Sequence, residues 1–223
     1  MIIAIDGPAG SGKSTVAKLV ATKLGFHYLD TGAMYRAVAV RALDNGFELS
    51  DEPALAEIAA SQKIGFEHEG AESLPTRVLI GGEDVTDAIR TPRADEAVSV
   101  VARSPKVRTA MVEQQRAIGR ASNIVVEGRD IGTVVFPDAE VKVFLTASAE
   151  ERARRRAAQN AARGMASDAA ATLEAMKRRD KIDTTREVSP LTLAEDAIQL
   201  DTTGLSIEQV VEAIAKLAAK ASA

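Results

Sequence analysis

The stretch IIAIDGPAGSGKST, residues 2–15, decides the fold of this 223-residue chain. Its first four residues form a short apolar run, typical of a strand that is buried on both faces of a parallel sheet. From Val16 onward, apolar residues recur at helical spacing, so a helix is predicted over Lys13–Leu24. The pattern as a whole therefore predicts a buried strand, a glycine-rich turn and a helix in succession.

The turn itself, Gly7–Ser14, matches the pattern GxxxxGK[ST]. Glycines allow the backbone to curl so that successive N–H groups face one anion, and the following helix directs its positive end at the same place. In this pattern Lys13 reaches the β- and γ-phosphates of a nucleoside triphosphate, and the hydroxyl of Ser14 suits Mg²⁺. The predicted nucleotide-binding residues are Gly7, Pro8, Ala9, Gly10, Ser11, Gly12, Lys13, Ser14 and Thr15.

The composition of the chain excludes several kinds of site. The chain has no cysteine and only two histidines, which excludes disulfides, thiolate metal sites and cysteine nucleophiles. With a net charge of −4 and 3% aromatic residues, it lacks the basic surface and stacking platforms of a general nucleic-acid binder. No apolar run approaches the ~20 residues of a membrane span, and the first residues are predicted to form a strand, not a targeting segment. We therefore expect a cytoplasmic protein that binds neither nucleic acid nor membranes.

Strands and helices alternate along most of the chain, which predicts an α/β fold with a parallel sheet flanked by helices on both faces. The strands of this sheet are predicted at Ile2–Ile5, Phe26–Leu29, Asn123–Glu127, Glu140–Leu145 and Ala197–Leu200. Helices are predicted at Lys13–Leu24, Thr31–Leu43, Asp95–Gly119, Glu150–Arg163 and Ala170–Arg179, with others beginning near Ser50 and at Ser206. The middle of the chain differs, because Ile64–His68, Arg77–Ile80 and Glu83–Val85 are predicted to be antiparallel strands. No linker separates autonomous domains, so one domain with an antiparallel insertion is expected.

Arginines follow two of the predicted parallel strands. Arg36 lies one helical turn after the second strand, and Arg129 follows the strand Asn123–Glu127. Because ligands of open α/β sheets lie beyond the carboxyl ends of the strands, both guanidiniums are expected beside the phosphate-binding loop. A small-molecule kinase needs such cations around the transferred phosphoryl group. A regulatory GTPase needs an NKxD segment, which the sequence lacks, and Asp201–Gly204, which matches DxxG, is interpreted as a strand end and turn.

Two further segments are rich in charge. The predicted helix Glu150–Arg163 carries Arg152, Arg154, Arg155, Arg156 and Arg163, with no acidic residue from Arg152 onward. Because these arginines lack acidic partners among themselves, they are interpreted as a mobile lid over the phosphates. The second segment, Arg178–Arg186, alternates in sign, and it remains open whether it is an ion-paired connector or part of the site.

Several segments together resemble the bacterial cytidylate kinase family of nucleoside-monophosphate kinases. The matching segments are IDGPAGSGKST at residues 5–15, LDTGAMYR at 29–36, EGRDIGTVVFPDA at 127–139, RRDKIDTTREVSPL at 178–191 and DTTGLSIEQVV at 201–211. They cover nearly the whole chain in order, and the second and third are specific to this family. The resemblance implies one P-loop kinase domain over 1–223, with a monophosphate-binding insert at about 35–105 and a helical lid at about 151–167.

The resemblance also implies roles for the matching residues. Gly10–Thr15 would hold the phosphates of ATP, and the catalytic cations would be Lys13, Arg36, Arg129 and Arg155. The monophosphate would be surrounded by Thr31, Tyr35, Arg36 and Arg129, and cytosine would be recognised by Ser99, Arg108 and Asp130. The sugar and phosphate side of the nucleotide would be contacted by Arg179, Asp183 and Arg186. Mg²⁺ would be held by Ser14 or Thr15, of which the general motif favours Ser14, and Glu127 would hold a metal-bound water.

The expected activity is reversible transfer of the γ-phosphoryl group from MgATP to CMP or dCMP, giving ADP and CDP or dCDP, by a monomer. The base chemistry agrees with a site containing Asp130 and Arg108, because the exocyclic amine of cytosine donates a hydrogen bond where uracil presents an acceptor. Two alternatives remain open. One is a kinase of the same fold that acts on another small acceptor, such as UMP or a hydroxyl metabolite, and the other is a nucleotide-binding module without turnover.

Overall fold

The computed structural model describes residues 1–69, 74–162 and 168–222. The strands are β1 (Ile2–Asp6), β2 (His27–Asp30), β3 (Ile64–Glu67), β4 (Arg77–Ile80), β5 (Glu83–Asp84), β6 (Ile124–Gly128), β7 (Val141–Thr146) and β8 (Ile198–Asp201). The helices are α1 (Lys13–Leu24), α2 (Thr31–Asp44), α3 (Glu52–Ser61), α4 (Pro92–Val101), α5 (Pro105–Gly119), α6 (Ala149–Ala162), α7 (Ala169–Thr185) and α8 (Ile207–Ala221). A 3₁₀ turn at Ala88–Arg90 precedes α4, and a π-helical turn at Ile131–Val135 follows β6.

Strand β1 lies at the centre of a five-stranded sheet in the order β2-β6-β1-β7-β8, in which all neighbouring strands are parallel. Side chains of β1 alternate between the two faces of the sheet, and each face has its own apolar core. Ile3 shares one core with Val16 of α1, whereas Ala4 shares the other with Met34 of α2 and Met111 of α5. The predicted α/β fold with helices on both faces is confirmed. None of the described helices combines the length and apolar character that crossing a bilayer requires.

The antiparallel insertion predicted for the middle of the chain is also confirmed. Strands β3, β4 and β5 form a separate three-stranded antiparallel sheet, with Ile64 paired to Ile80 and Leu79 paired to Asp84. Gly81 and Gly82, which join β4 to β5, both have positive φ (58° and 85°), the conformation of a type I′ hairpin turn that glycine adopts without strain. The insertion therefore lies between α3 and α4 as a small sheet of its own.

One predicted helix is wrong as a single element. The segment Asp95–Gly119 forms two helices, α4 and α5, that are separated at Ser104. A residue before proline is driven away from helical torsions, and Ser104 is extended (ψ 119°) where it precedes Pro105. Pro105 then occupies the first turn of α5, where its missing N–H costs nothing. The break turns α5 so that Arg108 reaches the carboxyl end of β6.

Helix α7 is longer than predicted. It continues beyond Arg179 to Thr185, so most of the charged segment Arg178–Arg186 is helical. Arg179 and Asp183 are four residues apart on this helix and therefore lie on the same face. Asp183 lies in the extension, where it accepts a hydrogen bond from Arg129, which follows β6.

Candidate active site

A cavity of about 720 Å³ lies at the carboxyl ends of β1, β2 and β6, bordered by α4, α6 and α7. Nearly all of the predicted site residues line it: Ala9, Gly10, Ser11, Gly12, Lys13, Ser14, Thr15, Thr31, Tyr35, Arg36, Ser99, Arg108, Arg129, Asp130, Arg155, Arg179, Asp183 and Arg186. Gly7 and Pro8 are the predicted residues that do not border the cavity. A Cβ on Gly7 would lie 2.1 Å from the carbonyl oxygen of Leu145, so this position supports the loop from behind.

The phosphate-binding loop is a cradle closed by its own lysine. The Nζ of Lys13 donates to the Pro8 carbonyl at 2.7 Å and to Ser11 Oγ at 3.4 Å. Burial, with Arg129 nearby, lowers the pKa of Lys13 well below its ordinary value. Gly10 has φ 75°, a conformation that side chains rarely adopt, and a Cβ there would lie 2.6 Å from Met176 Cε of α7 and 3.1 Å from Arg152 Cβ of α6. The loop thus holds a buried cation at the start of α1.

Glu127, at the end of β6, makes the contact next to this loop. Ser14 Oγ donates to Glu127 Oε2 at 2.9 Å, and the hydroxyl of Tyr28 donates to Glu127 Oε1. Burial, with Asp30 nearby, raises the pKa of the Glu127 carboxyl. Hydroxyl and carboxylate oxygens are the ligands that Mg²⁺ prefers, so the Ser14 and Glu127 pair fits this ion. Tyr28 was missed by the sequence analysis, although a tyrosine in a buried strand requires a partner for its hydroxyl.

Two arginines and two aspartates also line the cavity. Asp30 caps α2 by accepting from the backbone N–H of Ala33 at 2.9 Å, and its second oxygen accepts from Arg36 at 2.8 Å. Arg129 Nε donates to Asp183 Oδ2 at 2.9 Å. The guanidiniums of Arg129 and Arg179 hold the pKa of Asp183 below its ordinary value, although burial opposes them. These contacts fix the two guanidiniums at the carboxyl ends of the strands, in the cavity that the phosphate-binding loop also lines.

The innermost part of the cavity contains a buried ion pair between Arg108 and Asp130. Arg186 lies on the other side, 3.8 Å from Asp130 Oδ1, and donates through Nε to the Ser189 carbonyl at 2.6 Å. Arg108 Nε is buried and forms no hydrogen bond to any described residue. Buried donors of this kind are rare in folded proteins, and one that borders a cavity indicates a ligand that accepts its hydrogen bond.

Helix α6 supplies the remaining side chains over the loop. Arg155 donates to Thr202 Oγ1 and to the Thr202 carbonyl, both at 2.9 Å, and to the Ser11 carbonyl at 3.3 Å. Asp201–Gly204 is a strand end and turn, as predicted, because β8 ends at Asp201 and Gly204 has φ 75°. Thr202 in this turn was missed by the sequence analysis, and it joins the predicted lid to the phosphate-binding loop.

The expectation that the arginines of this helix lack acidic partners is wrong. Glu151, one residue before the arginine run, accepts from Arg154 and Arg155 at 2.8 Å each. Arg152 pairs with Asp180 of α7 at 2.6 Å, and Arg156 pairs with Asp95 of α4. Glu151 is a local partner, at i,i+3 and i,i+4 spacing, whereas Asp180 and Asp95 are distant in sequence and no local pattern reveals them. Arg163, the last arginine of the predicted lid, lies outside the described residues.

The sequence is similar to known proteins over almost its whole length. The family model described as Cytidylate kinase matches residues 3–220. A protein named Cytidylate kinase from Pelotomaculum thermopropionicum is 52% identical over 212 residues, covering 95% of this chain and 93% of its own. A second, from Enterococcus faecalis, is 51% identical over 212 residues, covering 95% of this chain and 92% of its own.

The fold also has a counterpart among solved structures. An uncharacterized protein from Eubacterium ventriosum is 14% identical, with a TM-score of 0.53 and coverage of 97% of this chain and 96% of that one, which is a likeness of fold. The family match, in contrast, extends over almost the whole sequence and includes every segment that forms the cavity. The chain belongs to the cytidylate kinase family.

Proposed function

We propose that the protein transfers the γ-phosphoryl group of MgATP to CMP or dCMP, giving ADP and CDP or dCDP. The observation that carries the proposal is the content of one cavity, in which a phosphate-binding loop faces arginines with the buried pair Arg108 and Asp130 behind them. A nucleoside-monophosphate kinase needs this arrangement, because a donor phosphate and an acceptor phosphate must meet in line between cations.

ATP binds with its phosphates in the loop Gly10–Thr15. Lys13 and the loop amides hold the β- and γ-phosphates, and Arg155 covers them from α6. Ser14 would hold Mg²⁺ and Glu127 would hold a water bound to the ion, and the hydrogen bond of Ser14 to Glu127 supports Ser14 over Thr15 as the hydroxyl ligand. When bound, the ion neutralises the charge that develops on the β- and γ-phosphates.

The acceptor phosphate lies between Arg36 and Arg129, with Thr31 and Tyr35 beside it and Arg179 on α7 behind. The attacking atom is a phosphate oxygen that is already anionic near neutral pH, so no general base is required. The chemistry of this chain's residues is therefore positioning and charge neutralisation. The predicted lid, of which α6 is the described part, excludes water from the transferring group, and the insert carries Ser99 to the acceptor.

Cytosine is selected by the pair at the inner end of the cavity. The Asp130 carboxylate accepts a hydrogen bond from the exocyclic amine of the base, and Arg108 donates to its acceptor edge. Uracil would instead present a carbonyl oxygen to the same carboxylate, which leaves two buried acceptors facing each other. Arg179, Asp183 and Arg186 contact the sugar and phosphate of the same nucleotide.

The test is an ADP-release assay with MgATP against CMP, dCMP, UMP, AMP, GMP and dTMP. Fast turnover with CMP and dCMP and slow turnover with UMP supports both the reaction and the cytosine-selecting pair. Preferential turnover with another acceptor contradicts the assignment of CMP. ATP binding without phosphoryl transfer to any acceptor contradicts the reaction and leaves a nucleotide-binding module.

A further inference from the structure

Asp6 is a buried carboxylate that the mechanism above does not use. It is the last residue of β1 and lies directly before Gly7, yet it does not border the cavity. Its two oxygens accept from the backbone N–H groups of Ile131 at 2.9 Å and Gly132 at 2.8 Å. One residue therefore links the start of the phosphate-binding loop to the segment that follows Asp130.

The two amides that Asp6 holds begin a tight turn. After β6 the chain bends at Asp130 (φ −144°, ψ 27°) into the π-helical turn Ile131–Val135. Within this turn the N–H groups of Val134 and Val135 both bond to the Asp130 carbonyl, at 2.9 and 3.1 Å. The first amides of a helical turn have no partner inside it, and here a carboxylate from a neighbouring strand satisfies two of them.

The position of the turn matters because the two residues just before it contribute their side chains to the cavity. Arg129 reaches Asp183 on α7, whereas its neighbour Asp130 reaches Arg108 on α5, so consecutive residues serve two different parts of the cavity. The start of this segment is fixed where Thr31 Oγ1 donates to the Glu127 carbonyl at 2.7 Å. Its end is fixed by the two hydrogen bonds to the carboxylate on β1.

We propose that Asp6 is a positioning residue for phosphoryl transfer, which holds Arg129 and Asp130 at a fixed distance from the phosphate-binding loop. The inference rests on the proposed function and adds to it the element that aligns the donor half of the cavity with the acceptor half. Because Asp6 belongs to the strand that begins the loop, any shift of the turn relative to β1 changes the distance between the two phosphates. A displacement of about 1 Å at a reacting centre is enough to lower a rate about 100-fold.

A carboxylate is suited to this task, although its burial carries a desolvation cost. Two N–H donors need two acceptors, which a carboxylate supplies and an asparagine does not, since its amide nitrogen would face one of the donors. Burial raises the pKa of Asp6 to about 6, although the hydrogen bonds from Gly132 and Ile131 oppose this shift. The charged form is therefore held against the desolvation that its position imposes.

The test is Asp6→Asn in the full chain, with separate measurements for the two nucleotides. We expect kcat/KM for CMP to fall about 10- to 100-fold, while the Kd for ATP, measured by calorimetry, changes less than about threefold. Amide hydrogen exchange at Ile131 and Gly132 should become faster. The matched control is Glu140→Gln, because Glu140 accepts from the N–H of Ile2 at 2.8 Å at the opposite end of the same strand. The control should change none of these values.

Two results would overturn the inference. One is a folded Asp6→Asn protein whose kcat/KM for CMP stays within about twofold of the parent value. The other is a parallel loss of ATP affinity, CMP affinity and thermal stability, which marks a purely structural role. If Asp6→Asn does not fold, Asp6→Glu gives the same decision, since it keeps both acceptors and moves them by one methylene. Turnover of CMP by the parent chain is measured first, so that failure of the proposed function is seen independently of Asp6. The affinity for CMP of the parent and of the Asp6 variant, measured by calorimetry, then tests the role of Asp6.

Discussion

Substitution of Arg129 by alanine removes a cation from the acceptor side of the cavity and also unpairs a carboxylate. Arg129 is 19% exposed in its side chain, and its partner Asp183 is 8% exposed. The variant therefore tests two quantities that have different origins. One is the contribution of the guanidinium to the transition state, and the other is the cost to folding of leaving Asp183 without its hydrogen bond.

The two magnitudes can be worked out separately. A guanidinium that makes two charge-assisted hydrogen bonds to phosphoryl oxygens contributes about 3–6 kcal/mol, so kcat/KM for CMP should fall about 10²- to 10⁴-fold. Removing one partner of a buried ion pair costs about 3–5 kcal/mol of unfolding free energy. Arg179 and Arg186 remain close to Asp183 and stabilise its charge, so we expect a cost of about 2–3 kcal/mol.

The measurements are steady-state kinetics with MgATP and CMP, and urea unfolding of the same preparations. The double variant Arg129→Ala/Asp183→Ala separates the two effects, because it removes the unpaired carboxylate along with the cation. Its stability should return to within about 1 kcal/mol of the parent value, while its activity should stay low. Arg77→Ala is the matched control, since Arg77 forms ion pairs with Glu67 and Asp84 at 2.8 Å on the exposed insert. The control should leave both kinetics and stability unchanged.

An unchanged kcat/KM in Arg129→Ala would remove this residue from the mechanism. Recovery of activity in the double variant would have the same consequence for the argument, because it would mean that the single substitution acted only through the folding of the site. A loss of kcat/KM in both variants, together with recovered stability in the double variant alone, is the expected pattern.

Three further predictions concern other parts of the site. Asp130→Asn replaces an acceptor with a group that can donate, so the ratio of kcat/KM for CMP over UMP should fall about 10- to 100-fold in a competition assay, and an unchanged ratio would contradict the cytosine-selecting role. Burial raises the pKa of Asp6 from 3.8 to about 6, so ionisation of this carboxyl lowers the free energy of unfolding at neutral pH. Between pH 7 and pH 4 the parent should therefore gain about 2–3 kcal/mol of unfolding free energy relative to Asp6→Asn, as measured by urea unfolding. A loss of unfolding free energy over the same pH range would contradict the burial of this charge. Ser14→Ala should raise the Mg²⁺ concentration needed for half-maximal rate several-fold while metal-free nucleotide binding is kept, and a larger effect of Thr15→Ala would transfer the metal contact to Thr15.

The parts of the fold that the sequence predicts are those with strong local signals. The strand, turn and helix around Gly7–Ser14 are encoded by an apolar run, glycines and a helical period within about 25 residues of each other. The break between α4 and α5 was missed because apolar spacing continues across Ser104, although the proline after it is a stop signal. In that segment the torsional restriction before Pro105 overrides the helical periodicity.

The candidate site likewise has a part that local sequence patterns predict and a part that they do not. Arg36 and Arg129 could be placed because they follow strands directly, and the carboxyl ends of parallel strands meet at one edge. The pairing of Arg152 with Asp180 and of Arg156 with Asp95 spans 28 and 61 residues, so it depends on how α6 packs against α7 and α4. Contacts of this kind are determined by tertiary packing, and no local pattern in the sequence contains them.

The pairing of the site arginines has a consequence for how nucleotides enter and leave. Arg36, Arg129 and Arg155 each already hold a carboxylate, so an incoming phosphate displaces an internal anion and does not meet a bare cation. Each guanidinium then exchanges a carboxylate oxygen for a phosphate oxygen, and fewer solution counterions are released than three unpaired arginines would release. Affinity should accordingly depend weakly on ionic strength. The displaced carboxylates remain nearby and compete for the guanidiniums, which favours the departure of products after each transfer.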